Sequence, residues 1–389
     1  MNVLWAGLIL SNSPQVQGQE RPGTQPSVAL AGLAFAGDSA TKLARFPLSV
    51  RYDHELSTTS QTSFARIAQQ VRARPPSAFA LTEGIDSLKA RDQAIVTALV
   101  VTSETVSTEQ FRALTKLLVQ VRAQALFFDF ESQTVLRAYP LAFTYLDTLD
   151  HTPSQAEAYE RLRGVYEGAG GKPGLFERYA QALAQARLPG QVSRYLQVSA
   201  VSIEPGVLQV LPAALSTHEA AAQAWVADAL SQALSSRTGV PLLPFFEGEA
   251  IGRTMAVQIS DGDVYTLQVP APDYPLTVHL SQVKKVLYGQ SGAGTSYVYG
   301  AFAGLNLSEP TSGKVYLDTA VKNAEVKLVP ATQTVVDDVP AFEDAITGLF
   351  EKFSQALADG DLKWLKAATT SADIEKQVLA TRTLLKACQ

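Results

Sequence analysis

One cysteine, Cys388, is present among 389 residues, so an intrachain disulfide and a cysteine-rich zinc site are both excluded. Histidine is nearly as scarce. His54, His151, His218 and His279 lie far apart, and none is followed at i+2 or i+4 by the His, Cys or carboxylate that a metal-binding helix or strand would supply. There is no excess of basic residues: 32 Lys and Arg against 37 Asp and Glu leave a formal charge of −5, which argues against a nucleic-acid partner. No apolar run approaches the roughly 18–20 residues of a membrane-spanning helix. The long amphipathic helices in the pattern also exclude a membrane β-barrel as the main fold.

What is present describes a globular chain. Hydrophobic residues make up 46% and charged residues 18%, and the length favours two domains over one core. Residues 1–25 read as a leader and linker. Val3–Leu10 is a short apolar run, and Val16-Gln17-Gly18 offers small residues at the −3 and −1 positions of a cleavage site, although no positive residue comes before Arg21. Glu20–Pro26 is too rich in proline and glycine for an element interior.

The chain then reads as two tandem, duplicated α/β (α+β) units, 26–190 and 191–389, each a mixed sheet with helices packed on it. The organising feature is a hairpin, Ala123–Asp147, that returns as Ser296–Val321, each followed by a proline-started helix. In the first unit Val28–Ala36 reads as a buried strand that Phe46–Tyr52 continues or pairs with. Ser63–Arg74 repeats Phe64, Ile67, Ala68 and Val71 at helical spacing and stops at Pro75-Pro76. Ala78–Leu81 and Ala94–Val101 read as strands. Ser107-x-x-Gln110 reads as a capping box opening a helix over Thr108–Arg122. Helices follow from Pro153 and over Leu175–Ala186, with Gly168–Gly174 a turn between them. In the second unit Tyr195–Ile203 takes the place of Val28–Ala36. Ser216-x-x-Glu219 caps a helix ending at Thr238-Gly239, and Val240–Phe246 continues as a strand. Met255–Ile259 and Val264–Val269 form a hairpin about Ser260–Asp263, and Leu276–Leu287 leads to the repeated hairpin. Pro340–Ala358 and a last helix after Thr370-x-x-Asp373 close the chain.

Three stretches of the second unit carry a resemblance. Ala224–Leu243 is an amphipathic helix running through a small turn towards a strand, Tyr297–Val321 is a late hairpin turning at Ser312-Gly313, and Pro340–Ala358 is a closing helix. In this order they resemble the periplasmic α/β module of CsgG, LpoB, FlgO and the N-terminal domain of TolB. The resemblance implies an envelope location and a role in assembly or recognition, and it brings no catalytic residues. The chain departs from the lipoprotein members in having no lipid-acceptor cysteine after its apolar run, so no lipid anchor is expected.

Chemistry-bearing motifs are few. Gly171-Lys172 has Tyr166 and Pro173 where a phosphate loop needs Gly and Ser or Thr. Gly289–Gly294 misses the nucleophile-elbow spacing around Ser291, and no histidine follows it. Asp261 and Asp263 flank a glycine in a tight turn and are metal candidates only if other oxygens join them. Asp337 and Asp338 precede a helix, where anions favour the dipole. Tyr297, Tyr299 and Phe302 form an aromatic strand segment that becomes an interaction surface if one sheet face is uncovered. No cofactor is expected. The favoured expectation is a non-enzymatic, exported protein of the bacterial periplasm or cell surface that binds other envelope proteins or itself. The alternatives are a periplasmic or secreted enzyme with its site between the units, and a cytoplasmic small-molecule-binding protein.

Overall fold

The computed structural model describes residues 26–37, 39–84, 94–111, 114–188, 194–245, 253–259, 262–331 and 338–389. The leader reading, Asp261 and Asp337 lie outside them. The fold is mixed α/β. β1 (Ser27–Ala36) leads to α1 (Ser39–Arg45), α2 (Pro47–Ser57), α3 (Ser63–Ala73) and the short β2 (Ala80–Glu83). The meander β3 (Ile95–Phe111), β4 (Leu114–Asp129) and β5 (Thr134–Leu149) follows, then α4 (Gln155–Glu167) and α5 (Leu175–Gln185). The second half begins with β6 (Leu196–Ile203), α6 (Pro205–Leu208), α7 (Ala213–Ser216) and α8 (Glu219–Thr238). A hairpin, β7 (Thr254–Ile259) and β8 (Val264–Gln268), precedes the meander β9 (Tyr274–Ser291), β10 (Gly294–Glu309) and β11 (Lys314–Pro330). The chain closes with α9 (Val339–Asp359), α10 (Lys363–Ala368) and α11 (Ile374–Cys388).

Local signals account for several boundaries. Thr62 caps α3 by accepting from the Ala65 N–H. A reciprocal capping box opens α4: Ser154 accepts from the Glu157 N–H, and Glu157 accepts from the Ser154 N–H. Pro153 therefore sits one residue before the cap and not inside the helix. Gly239 ends α8 in the left-handed region at φ 72°. Gly32, at φ 87°, bulges β1 where α3 comes close, and a Cβ there would stand 2.9 Å from the Phe64 ring.

Four expectations are corrected. The described residues of the stretch read as a helix over Thr108–Arg122 are strands: Leu117, Val119 and Val121 alternate into the core with period two, and that burial outweighs the capping box at Ser107. Phe46–Tyr52 is mostly helix α2, with Phe46 as its N-cap residue and Pro47 in its first turn. Val240–Phe246 is no ladder strand as far as it is described; it touches β6 through one bridge, Gln197 to Leu243. His218, not Ser216, stands at the N-cap of α8.

The meanders give the two sheets a shared core order. The first contains β1-β3-β4-β5 and the second β6-β9-β10-β11, reading from the opening strand outward. In each, the opening strand runs parallel to its neighbour and the remaining pairs are antiparallel. The first sheet is then extended. β2 pairs with the first half of β1, while β7 pairs antiparallel with Ala34–Ala36 and β8 meets β5 at Thr134. The hairpin between α8 and β9 thus curls over the first sheet and closes it on itself. The space it closes is narrow, which accounts for the small residues lining it: Ala29, Ala31, Ala34 and Ala98 pack with Val257, Ile259 and Leu267.

On its other face the first sheet carries α2–α5, with Phe127, Tyr139 and Phe143 packed among Tyr159, Leu162, Phe176 and Tyr179. α8 lies between the sheets. It buries Val226, Leu230 and Leu234 with α9 against the second sheet, and it faces the back of the first sheet, where Arg122 donates to the Trp225 carbonyl at 2.9 Å. A helix used on two sides has no single apolar stripe, and its alanine-rich sequence reflects this. The resulting layers are helices, first sheet, hairpin with α8, and second sheet.

Candidate binding face

Among the described residues, the second sheet has helices on one face only. Odd positions of β10 point into the core: Tyr299, Ala301, Ala303, Leu305 and Leu307 are buried against α8, α9 and their neighbours. Even positions point away. Strand register assembles them into rungs across three strands. Val286, Val298 and Val326 form one rung, Lys284, Gly300 and Ala324 the next, and Gln282, Phe302 and Lys322 the third. Val286, Val326 and Leu328 are exposed large apolar side chains. Phe302 leans over Gly300, with its Cε2 3.5 Å from where a glycine Cβ would stand. A trough of about 400 Å³ runs along this strip and continues past the β11 edge to Trp364 and Ala368. Lys284 stands over the Phe302 ring, its Nζ 5.5 Å from the centroid, and with Lys322 it gives the strip a positive rim.

Of the three aromatic residues singled out in sequence, only Phe302 lines this trough. Tyr299 belongs to the core: it packs edge-on against Phe342, and its hydroxyl donates to Asp338 at 2.5 Å. Tyr297 is half-buried beside it, with the Lys285 ammonium 4.2 Å from its ring centroid. Lys285 also donates to both Asp338 oxygens, at 2.7 and 2.9 Å, so Asp338 joins β9, β10 and the start of α9. Sequence reasoning missed the valines and lysines of the strip. Their signal was alternation on both faces of β9–β11, with apolar residues on each face.

The remaining candidates lie apart. Asp263 accepts from the Tyr265 hydroxyl at 3.3 Å, and among the described residues no group of three or more His, Cys, Asp or Glu is placed to hold a metal. His279 and Ser291 sit on β9 twelve residues apart, about 40 Å along an extended strand. His279 instead places Nδ1 2.8 Å from the Ser202 hydroxyl and Nε2 3.5 Å from Glu204. Serine, imidazole and carboxylate follow one another as in a nucleophilic triad. Here they stand exposed on an open sheet face where water competes for each contact. Ser202 lies near the end of β6, and Glu204 follows the strand as the N-cap residue of α6. The set is a polar ladder. Cys388 is buried, and burial pushes its thiol up to about 12.

No family model matches the chain, and no curated protein matches it. Among solved structures, a minor lipoprotein from Acinetobacter baumannii aligns at 10% identity over 44% of this chain and 96% of its own, with a TM-score of 0.19. A neuraminyllactose-binding hemagglutinin homolog from Helicobacter pylori aligns at 11% identity over 44% of this chain and 97% of its own, with a TM-score of 0.21. At these scores the likeness carries no argument, and the second half's likeness to the periplasmic module stays a resemblance. No described helix is long and apolar enough to cross a membrane.

Proposed function

We propose that this chain is a non-enzymatic binding and assembly module of the bacterial envelope, built from two copies of one α/β unit. The observation that carries the reading is the unequal treatment of two corresponding sheet faces. The back of the first sheet is covered within the chain, by β7–β8 and α8, whereas the back of the second sheet is open and keeps an apolar strip across three strands. Contiguous exposed apolar surface with a polar rim is the signature of a partner site. The lysine rim favours an acidic partner segment with apolar side chains, from another envelope protein or a second copy. The shared strand order supports duplication. The leader reading of residues 1–18 supports export, and N-terminal sequencing of native protein should then start near Gln19.

A photo-crosslinking residue placed at Val326 tests the binding face in living cells. A discrete adduct is expected at Val326 and not at Leu379, an apolar position on α11 that is even more exposed. Equal labelling at both positions would remove the support for a dedicated face.

A further inference from the structure

A second concavity lies between the units, separate from the open face. Its floor is the back of the first sheet, with Arg122 and Gln124 of β4 and Thr102 and Ser103 of β3. One wall is α8, through Ala224, Trp225 and Asp228; the other is Phe245 with Met255 of β7. The cavity measures about 710 Å³, within the range of small-molecule sites.

The floor holds a buried cation with an incomplete shell. Arg122 is 7% exposed. Its Nη1 donates to the Trp225 carbonyl at 2.9 Å and its Nε to the Gln120 side chain at 3.3 Å, while its Cζ sits 5.5 Å from the Trp225 ring centroid. The nearest carboxylate, Asp228, stays 3.8 Å away, beyond hydrogen-bond distance. Among the described residues Nη2 donates to nothing. Removing a guanidinium from water is costly unless its donors are used, so this arrangement is poised for an added acceptor. Burial raises the Asp228 carboxyl, and it lowers the Arg122 guanidinium against the opposing pull of Asp228 and Glu343. Arg45, which donates to the Ala36 and Thr102 carbonyls, places a second positive charge on the same rim. Apart from Asp228, the side chains named on the walls are apolar: Trp225, Phe245, Met255, Ala221 and Ala224.

We infer that this cavity binds a small organic anion, its acid group on Arg122 and its apolar body along Trp225 and Met255. The chemistry selects an acid with a hydrophobic body over a neutral molecule of the same shape.

Two fluorescent probes that differ in one acid group test this: 1-anilinonaphthalene-8-sulfonate and its uncharged counterpart, N-phenyl-1-naphthylamine. Full-length protein is titrated in a Val326→Asp background, so that dye on the open face does not contribute. The sulfonate should bind one site per chain at least about tenfold more tightly, the factor expected from a charge-assisted hydrogen bond. Arg122→Met should abolish that preference and leave the neutral probe's affinity unchanged. Ala224→Trp narrows the cavity and keeps the Arg122 cation, and it should weaken both probes. Equal affinities in the parent protein, a preference that survives Arg122→Met, or sulfonate binding that survives Ala224→Trp would each overturn the assignment.

Discussion

At the residue scale, Leu317 and Arg137 give opposite lessons. Leu317 is 1% exposed in the second core and Asp318 points outward, as alternation along β11 requires. Leu317→Ala should cost about 2–5 kcal/mol in urea denaturation. In the first unit alternation puts Leu136 and Ala138 together on the helix side and Arg137 outside. A bulge opposite Phe127 and Phe128 undoes this. Leu136 packs against the helix-side cluster, Ala138 enters the closed space behind the sheet, and Arg137 is buried. Arg137 donates to the carbonyls of Arg187 and Gln389, at 2.9 and 2.5 Å, joining the segment after α5 to the residue after α11. Arg137→Ala should therefore cost about 1.5–3 kcal/mol, the usual contribution of a hydrogen bond to a charged group. A loss under about 0.5 kcal/mol would show that water replaces the guanidinium freely. Half-buried Leu136 should cost less on truncation than Leu317.

Glu157 supplies a pH signature. Its carboxylate accepts from the Ser154 N–H, from His151 and from the Ser154 hydroxyl, and these bonds hold it at about 2, below its ordinary 4.5. A depressed carboxyl stabilises the fold above its unfolded value and loses that contribution as pH falls through the folded one. Glu157→Gln should therefore flatten the decline in melting temperature between about pH 4.5 and pH 2. Parallel curves for variant and parent across that window would dismiss the cap as a source of acid sensitivity.

At the scale of elements, the hairpin β7–β8 does the most unexpected work. Its sequence is a plain pair of short strands about a glycine turn, yet Val257, Ile259 and Leu267 face the alanine-lined back of the first sheet, more than a hundred residues away in sequence. Buried Leu267 should lose about 2–5 kcal/mol on change to alanine. Leu267→Asp should do more, because it places an unpaired charge against an apolar wall. The informative measurement is hydrogen exchange. Amides of β1 and β3 should lose protection in Leu267→Asp while those of β9–β11 keep theirs. Uniform loss across both sheets would mean that the hairpin supports the whole molecule and not one face.

At the scale of the molecule, the layers make the two halves unequal in what they need. Residues 26–190 present a back face that only the second half covers, through β7–β8 and α8. The second half carries a hairpin whose partner strands lie in the first. Expressed separately, residues 1–190 and 191–389 should co-purify as a one-to-one complex, and 1–190 alone should aggregate through its uncovered alanine and valine face. A stable monomer of 1–190 by light scattering would show that the cover is dispensable and that the halves are independent domains.

By itself the sequence determined the elements whose signals are local. The buried runs of β1 and β6, the capped helices α3 and α4, the glycine stop of α8 and the turns between β4 and β5 and between β10 and β11 all follow from periodicity and backbone preference within a few residues. Thr108–Arg122 shows where local signals conflict. Leucine and valine there satisfy both a helical and an alternating period, and the neighbours β3 and β5 decide between them by supplying a ladder. The Arg137 face depends on a bulge set by pairing with Phe127 and Phe128. The destination of β7–β8, the buried Arg122 and the open strip of Val286, Val298 and Val326 depend on which layer reaches each sheet. None of these has a local signal, because the free energy of covering a face belongs to both surfaces and only folding brings the second one there.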